Sequence, residues 1–586
     1  MARRLPSAAK AIAHEILLSL YGHEVGERIY RRLATSVTEA SPRLARRVRS
    51  AREGQPLDHQ DAFLITYGDQ MRTPGEAPLQ TLAAFARRYL RGLVSGVHVL
   101  PFFPSSSDDG FAVVDYYQVN PELGSWDDLR TLGEDFRLMF DAVINHVSSR
   151  SRWFQGFLAG EQRYRDFFIR ITPDMDLTPV VRPRALPLVT AFQTASGEER
   201  VWTTFSADQV DLNYANPEVL LAVLDVLLEY IARGAQILRL DAIAYLWKQA
   251  GTPSIHLPQT HQVVRLIRAM LDWVAPHVFL ITETNVPHQE NLSYFGDGTN
   301  EAQLVYNFAL PPLVLHTFLS GDATKLTEWA ASLHLPSTEV AFFNFLASHD
   351  GIGLNPVRGI LSEAEIERLV RSAQERGGLV GLKAEQDGSQ SAYELNINYF
   401  DALNDAAAGE TLDLQVKRFL GAHAILLSLA GLPGIYVHSL LGSRGWPEGV
   451  RQTGRNRSIN RQKFERDALL RELSDATGRR ARILAGFERL LRVRSSTPAF
   501  DPYGEQRVLS AGSGAFAVLR LPPDGSRPVL CLQSVLARRQ TVRVDVRTVK
   551  RRHGGWRDVC TNQIMELGGV AEIQLEPYQV LWLQPE

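Results

Sequence analysis

The sequence predicts an α/β fold: a (β/α)8 TIM barrel with an inserted domain, helices ahead of it and a C-terminal antiparallel β-sandwich. Three observations carry this prediction. Eight short apolar runs, at residues 62–67, 97–102, 138–143, 236–240, 278–282, 303–306, 341–347 and 434–437, alternate with helical stretches, as a parallel sheet requires. Two intervals, 147–209 and 351–411, are too long for one crossing helix. From residue 496 the helical period gives way to short β-branched runs between Gly/Pro turns.

The elements follow in order. Residues 1–58 read as a helical extension, because Ile12, Ile16, Leu17 and Leu20 share a face and Val25, Ile29 and Leu33 continue at spacing four. These helices are expected to pack on the barrel or to support a homodimer. Arg43, Arg46, Arg47 and Arg49 are expected on a solvated face. The barrel is assigned to 59–146 and 210–495, with a small B domain at 147–209 rich in Arg, Pro and aromatics. Pro217 after Asn216 starts a helix over 217–233. Residues 355–410 read as a mobile active-site loop with a polar, Gly-bearing stretch at 385–391. A basic helix at 479–494 precedes the sandwich at 496–586, whose strands are expected at 508–521, 529–532, 542–546 and 573–583.

Bulk composition narrows the function. The 586 residues are 45% hydrophobic and 22% charged, typical of a soluble multidomain protein. A net charge of −2, from 63 basic and 65 acidic residues, gives no signature of a nucleic-acid or membrane partner. No apolar run reaches 18 residues, and His14 and Glu15 interrupt any signal segment, so a cytoplasmic location is expected. Cys531 and Cys560 show no metal spacing and read as free thiols. With no HExxH and no Cys/His cluster, no metal is expected.

The chemistry gathers at strand ends. Leu238-Arg239-Leu240-Asp241 closes an apolar run, and Arg239, two residues before Asp241, lies on the same side of the strand. It can pair with Asp241 and keep it ionised. A rim salt bridge and a glycosyl nucleophile fit that pair equally well. Three more strands end alike: Asp141-Ala142-Val143-Ile144-Asn145-His146, Thr282-Glu283-Thr284-Asn285 and Ser348-His349-Asp350-Gly351. Four such events on the C-terminal rim of one barrel, where such barrels carry their active sites, are not explained by packing.

Together, Asp141-x-x-x-Asn145-His146, Arg239-x-Asp241, Glu283 and His349-Asp350 resemble the four signature regions of the α-amylase superfamily, glycoside hydrolase family 13. Val210-Asp211-Leu212-Asn213 resembles a fifth. The resemblance implies Asp241 as nucleophile, Glu283 as general acid/base and Asp350 as the third carboxylate, with His146 and His349 hydrogen-bonding the sugar. It implies a retaining mechanism, with the Asp241 and Glu283 carboxyl carbons about 5 Å apart.

Leu100-Pro101-Phe102-Phe103-Pro104, Asp108-Asp109-Gly110-Phe111 and Arg457-Ser458-Ile459-Asn460-Arg461 are similar to the sucrose phosphorylase subfamily. By that resemblance Asp108, Phe111 and Arg457 hold the donor glucosyl ring and Tyr245 is a further site aromatic. Tyr393-Glu394 falls in the mobile loop that presents groups to acceptor and phosphate. Two departures fall on the acceptor side: Asn285 stands where the subfamily carries His, and Glu394 where it usually carries Gln. The tracts Arg182–Pro187, Trp202–Ser206 and Phe345–Pro356 match the glucosylglycerate phosphorylases of that subfamily. The resemblance thus implies phosphorolysis of 2-O-α-glucosylglycerate to α-glucose 1-phosphate, with inorganic phosphate as co-substrate and no cofactor. Sucrose, sucrose 6′-phosphate or glucosylglycerol is the alternative substrate, and an inactive amylase-like binding domain the alternative of another class. A carboxylate acceptor and phosphate both need cations, and Arg182, Arg184 and Lys248 are the candidates. For Arg182 and Arg184 an interdomain salt bridge fits equally well.

Overall fold

The structure is a computed structural model that describes residues 5–46, 52, 54–385, 389–547, 549 and 555–586. All eight expected strands form and close one barrel. They are β1 (Phe63–Thr66), β2 (Gly96–Val99), β3 (Arg137–Ala142), β4 (Ala235–Leu240), β5 (Phe279–Thr282), β6 (Leu304–Tyr306), β7 (Ala341–Asn344) and β8 (Leu432–Tyr436). Each pairs in parallel with its sequence neighbour, and β8 returns to β1. Every strand residue in β3, β4 and β5 is buried, since one face fills the barrel and the other lies under helices. The interior is tight: a Cβ on Gly96 would stand 2.2 Å from the Phe63 ring. β7 ends three residues before the apolar run does. It pairs with β8 only through Phe343–Leu432 and Asn344–Pro433, and Pro433 has no N–H to extend the ladder.

Helices Pro6–Tyr21 and His23–Arg46 confirm the helical reading of the N-terminal extension. Ile16, Leu17, Ile29 and Leu33 are buried in the barrel's own core cluster. The first helix lies on Pro258–Val274 and the second on Pro217–Ala232. Arg43 is not merely solvated, because it bonds Glu229 on that second barrel helix at 2.5 Å. Arg47, Arg49 and the Arg46 side chain lie outside the described residues.

Between β3 and β4, His146–Ser148 pairs antiparallel with Gln209–Asp211 and closes the neck of an excursion. Its hairpin, Val189–Thr194 with Gly197–Trp202, sits over a small core of Val180, Leu188 and Trp202. After β7 the chain builds more than a loop. Ile352–Gly353, Leu379–Ala384 and Gln390–Asn396 form a three-stranded sheet beside helix Glu363–Glu375. The sequence hides this hairpin because Leu379–Ala384 is half-buried apart from an exposed Leu382 and lacks the alternation of a one-faced strand.

The C-terminal region has a six-stranded antiparallel sheet facing a two-stranded one. The expected strand 508–521 is two, Gln506–Leu509 and Ala515–Arg520, and 573–583 spans Val570–Leu575 and Val580–Pro585 in different sheets. Alternation decides the packing. Ala515, Ala517 and Leu519 enter the inter-sheet core, while Phe516 and Val518 pack on the barrel. Cys531 and Cys560 are free thiols.

Candidate active site

Arg239 organises the barrel rim. It sits level with Asp141 across the β3–β4 ladder and donates Nη1–H to Asp141 and, at 2.9 Å, to Asp241. Its Nη2 lies 4.0 Å from Glu283. His98 on β2 contacts the other oxygen of Asp141 at 2.7 Å. The guanidinium also faces the Phe111 and Tyr306 rings, at 5.8 and 5.4 Å. Arg239 is only 2% exposed, so this set of carboxylates is what makes its charge tolerable in the interior. Immediately after Asp241 the backbone of Ala242 takes a left-handed conformation, φ 48°, which costs a non-glycine residue about 1 kcal/mol or more. That turn aims the Ala242 N–H at Glu283 Oε2, 2.9 Å away.

The late Arg457–Arg461 segment clamps the chain beyond β7. Asn460 donates to the carbonyls of Ser348 and Asp350, at 3.2 and 3.0 Å, and Arg461 Nε–H to that of His349 at 2.8 Å. Arg457 reaches Asp350 at 2.5 Å and binds both oxygens of Glu394, at 3.0 and 2.9 Å. His349 stacks on Phe111, ring centres 4.8 Å apart and 6° from parallel, and its Nε2 is 3.4 Å from Asp350.

The loop after β2 and the excursion after β3 supply the remaining wall. Asp108 and Asp109 both hold left-handed backbones, φ 54° and 50°. Asp108 accepts from Arg184 at 2.9 Å and from Gln209 at 3.2 Å. His146 Nδ1 meets the Asn145 amide at 3.1 Å, and its Nε2 meets the Phe111 carbonyl at 2.9 Å. The Gln209 amide also meets His146 Nε2, at 3.1 Å.

These groups converge on one cavity of about 70 Å³. Asp241, Glu283 and Asp350 line it, with Asp108, Phe111, His146, Arg184, Tyr245, Asn285, His349, Tyr393 and Arg457. Burial raises both the Asp241 and the Glu283 carboxyl, and Arg239 pulls each back down. Arg239 bonds Asp241 directly and stands off from Glu283, so the negative charge is favoured on Asp241 and the proton on Glu283. Burial also works to raise Asp108, but Arg184, Arg457 and Arg461 outweigh it and hold this carboxylate ionised. Burial lowers His146 to about 4 and, with Arg461 and Arg239 adding, lowers His349 further, so both rings are neutral donors or acceptors.

Four expected site residues stand outside the cavity lining. Lys248 does not line the cavity: its ammonium bonds Asp211 and Asn145, each at 2.6 Å, and its side chain is 1% exposed. A buried cation needs such partners, so it cannot also serve an acceptor. Glu394 is turned onto Arg457 rather than into the cavity, because the buried carboxylate needs that cation. Arg182 lines a separate vestibule, with Pro183 and Tyr245 common to both spaces. Arg239 stands behind the cavity and bonds Asp241, which lines it. Sequence reasoning missed Gln209, which bridges Asp108 and the Phe111 carbonyl, and Phe205, which meets Tyr245 edge-on at 5.5 Å. Gln209 immediately precedes Val210-Asp211, and Phe205 lies inside the Trp202–Ser206 tract, so both sat beside recognised signals.

Comparison with known proteins agrees with this geometry. The α-amylase catalytic-domain family matches residues 87–351. A glucosylglycerate phosphorylase of Spirochaeta thermophila is 53% identical over 522 residues, 89% of this chain and 88% of its own. One from Allomeiothermus silvanus is 50% identical over 96% of this chain and 99% of its own, and one from Escherichia coli 45% identical over 92% and 94%. The crystal structure of sucrose 6F-phosphate phosphorylase from Thermoanaerobacter thermosaccharolyticum superimposes with a TM-score of 0.71 at 24% identity, covering 88% of this chain and 98% of that one. By its barrel, its rim residues and these matches, the chain belongs to the α-amylase superfamily and, within it, to the family that holds the glucosylglycerate phosphorylases.

Proposed function

We propose that this protein is a retaining glycoside phosphorylase that converts 2-O-α-D-glucosyl-D-glycerate and inorganic phosphate into α-D-glucose 1-phosphate and D-glycerate. The observation that carries the reading is the convergence of Asp241, Glu283 and Asp350 on one cavity with Arg239 behind them. Relatives named for this reaction, at 45–53% identity, supply its substrate.

The geometry supports a two-step course. Asp241, ionised and oriented by Arg239, attacks the anomeric carbon. Glu283 carries the proton and delivers it to the departing glycerate oxygen. Asp350, held by Arg457, takes sugar hydroxyls and balances the positive charge that develops on the ring. Phosphate then attacks the glucosyl-enzyme from the face that glycerate left, so the anomer is retained. Phosphate brings its own negative charge and needs cations, which Arg184 and Arg457 supply on exchanging Asp108 and Glu394 for it. With the glucosyl ring and phosphate filling the cavity, little room is left for an attacking water. Action in the cytoplasm, without a metal or organic cofactor, belongs to the same proposal. No helix among the described residues is long and apolar enough to cross a membrane.

The test is phosphate dependence on glucosylglycerate. Glucose 1-phosphate should form as the α anomer and only with phosphate present. Equal glucose release with and without phosphate overturns the reading. In the reverse direction glycerate should outrank glycerol and fructose as acceptor, and a preference for fructose would reassign the substrate.

A further inference from the structure

We propose that the vestibule outside the catalytic cavity is a second binding site, one that takes a small oxyanion, phosphate or a carboxylate, and passes it inward past Pro183. The vestibule measures about 710 Å³ against about 70 Å³ for the catalytic cavity, and the two share Pro183 and Tyr245 in their walls. One side of it is the excursion after β3 and the other is the Leu379–Ala384 strand.

Charge separates the two spaces. Arg182, Arg200 and Lys383 line the vestibule, and among the described residues Glu385 is its one carboxylate. Glu385 is already engaged by Lys383 at 3.1 Å and by the Ser391 hydroxyl at 2.5 Å. Among the described residues Arg182 and Arg200 have no carboxylate partner, so both guanidinium groups are available to an anion. The inner cavity is the reverse. Asp108, Asp241, Glu283 and Asp350 all face it, and its two lining cations are bound, Arg184 to Asp108 and Arg457 to Asp350 and Glu394. An anion approaching from solvent therefore meets free cations outside and committed ones inside.

The tripeptide Arg182-Pro183-Arg184 forms the partition. Arg182 belongs to the vestibule, Pro183 to both spaces and Arg184 to the inner cavity. The anion is concentrated at Arg182 and Arg200, then displaces Asp108 from Arg184 as it moves in. No bond is made or broken in this handover; one ion pair replaces another. The site extends the phosphorylase reading and rests on it only in taking phosphate as the nucleophile.

The experiment supplies α-D-glucosyl fluoride, a donor with an uncharged glucosyl group, to the full-length enzyme. Transfer to phosphate and hydrolysis by water are followed together over a range of ionic strength. For Arg182→Gln with Arg200→Gln we expect kcat/KM for phosphate to fall about tenfold through KM, with a flatter salt dependence. Arg182→Lys with Arg200→Lys should restore most of it, since charge rather than shape is at stake. An unchanged KM for phosphate overturns the proposal, as does a loss shared equally by hydrolysis or left unrescued by lysine. If the wild-type enzyme transfers nothing to phosphate, the phosphorylase reading falls on that result alone. The vestibule proposal is then decided by the same variants and salt series with glycerate as acceptor.

Discussion

The inner and outer walls of the catalytic cavity are built from different materials. The inner wall is barrel: Asp241 and Glu283 stand on the ends of β4 and β5, tied to Arg239 and to the Ala242 N–H, and Asp350 sits on backbone clamped by Asn460 and Arg461. The outer wall is two excursions, one after β3 and one after β7, joined to the inner wall by the ion pairs Arg184–Asp108 and Arg457–Glu394. Backbone ladders and buried hydrogen bonds fix a position to a fraction of an ångström, whereas an ion pair in a cavity can be exchanged for a ligand's charge. A rigid inner wall suits a glucosyl ring that every turnover must bind alike. An exchangeable outer wall suits a site that accepts glycerate in one half-reaction and phosphate in the other.

The strongest way to break this contrast is at the inner wall. Asp241→Asn keeps the shape and a hydrogen bond to Arg239 but removes the attacking charge, so phosphorolysis should fall at least about 10⁴-fold. Steady-state release of glucose 1-phosphate measures it. Retention of a tenth of the wild-type rate would mean that the rim carboxylates are structural. The outer wall should respond far more gently. Glu394→Gln leaves one hydrogen bond to Arg457 but removes the charge that ties the hairpin to the barrel. We expect kcat to drop about tenfold and the share of glucose among the products to rise as water gains access. An unchanged ratio of glucose to glucose 1-phosphate would show that another contact holds the hairpin closed.

Legibility in the sequence follows the same division. All eight barrel strands were readable, because strands buried on both faces are continuous apolar runs and a carboxylate ending such a run stands out. Asp241, Glu283 and Asp350 were found in that way. The outer wall was read less well, because its residues act across distance in sequence. Nothing local shows that Arg457 binds Glu394, 63 residues earlier, or that Lys248 is neutralised by Asp211. Charge marked both Lys248 and Arg184 as candidates, and resemblance to a superfamily position near the acceptor site favoured Lys248; only the fold shows Lys248 sealed in and Arg184 facing the cavity. Gln209 was missed because an uncharged amide after a polar stretch carries no periodic signal, although it bridges Asp108 to the Phe111 carbonyl.

The smallest effect sharpens the contrast most, because it reads the inner wall's cost rather than its activity. Burial raises the Glu283 carboxyl in the folded protein, with Asp350 adding to the rise and Arg239 opposing it. A carboxyl raised on folding contributes its stability fully below the unfolded value of about 4.3 and loses it as pH climbs through the folded value. Glu283→Gln is neutral throughout and still accepts the Ala242 N–H, so it escapes that loss. The variant should therefore melt with the wild type near pH 4 and above it at higher pH, by a few degrees at most once the carboxyl is ionised. The same ionisation should set the alkaline limb of kcat/KM with glucosylglycerate, since Glu283 must hold a proton to release glycerate. A melting difference that does not change with pH would place the raised carboxyl elsewhere in the cavity. A difference that grows along the limb of the rate profile would tie the wall's instability and its acid catalysis to one proton.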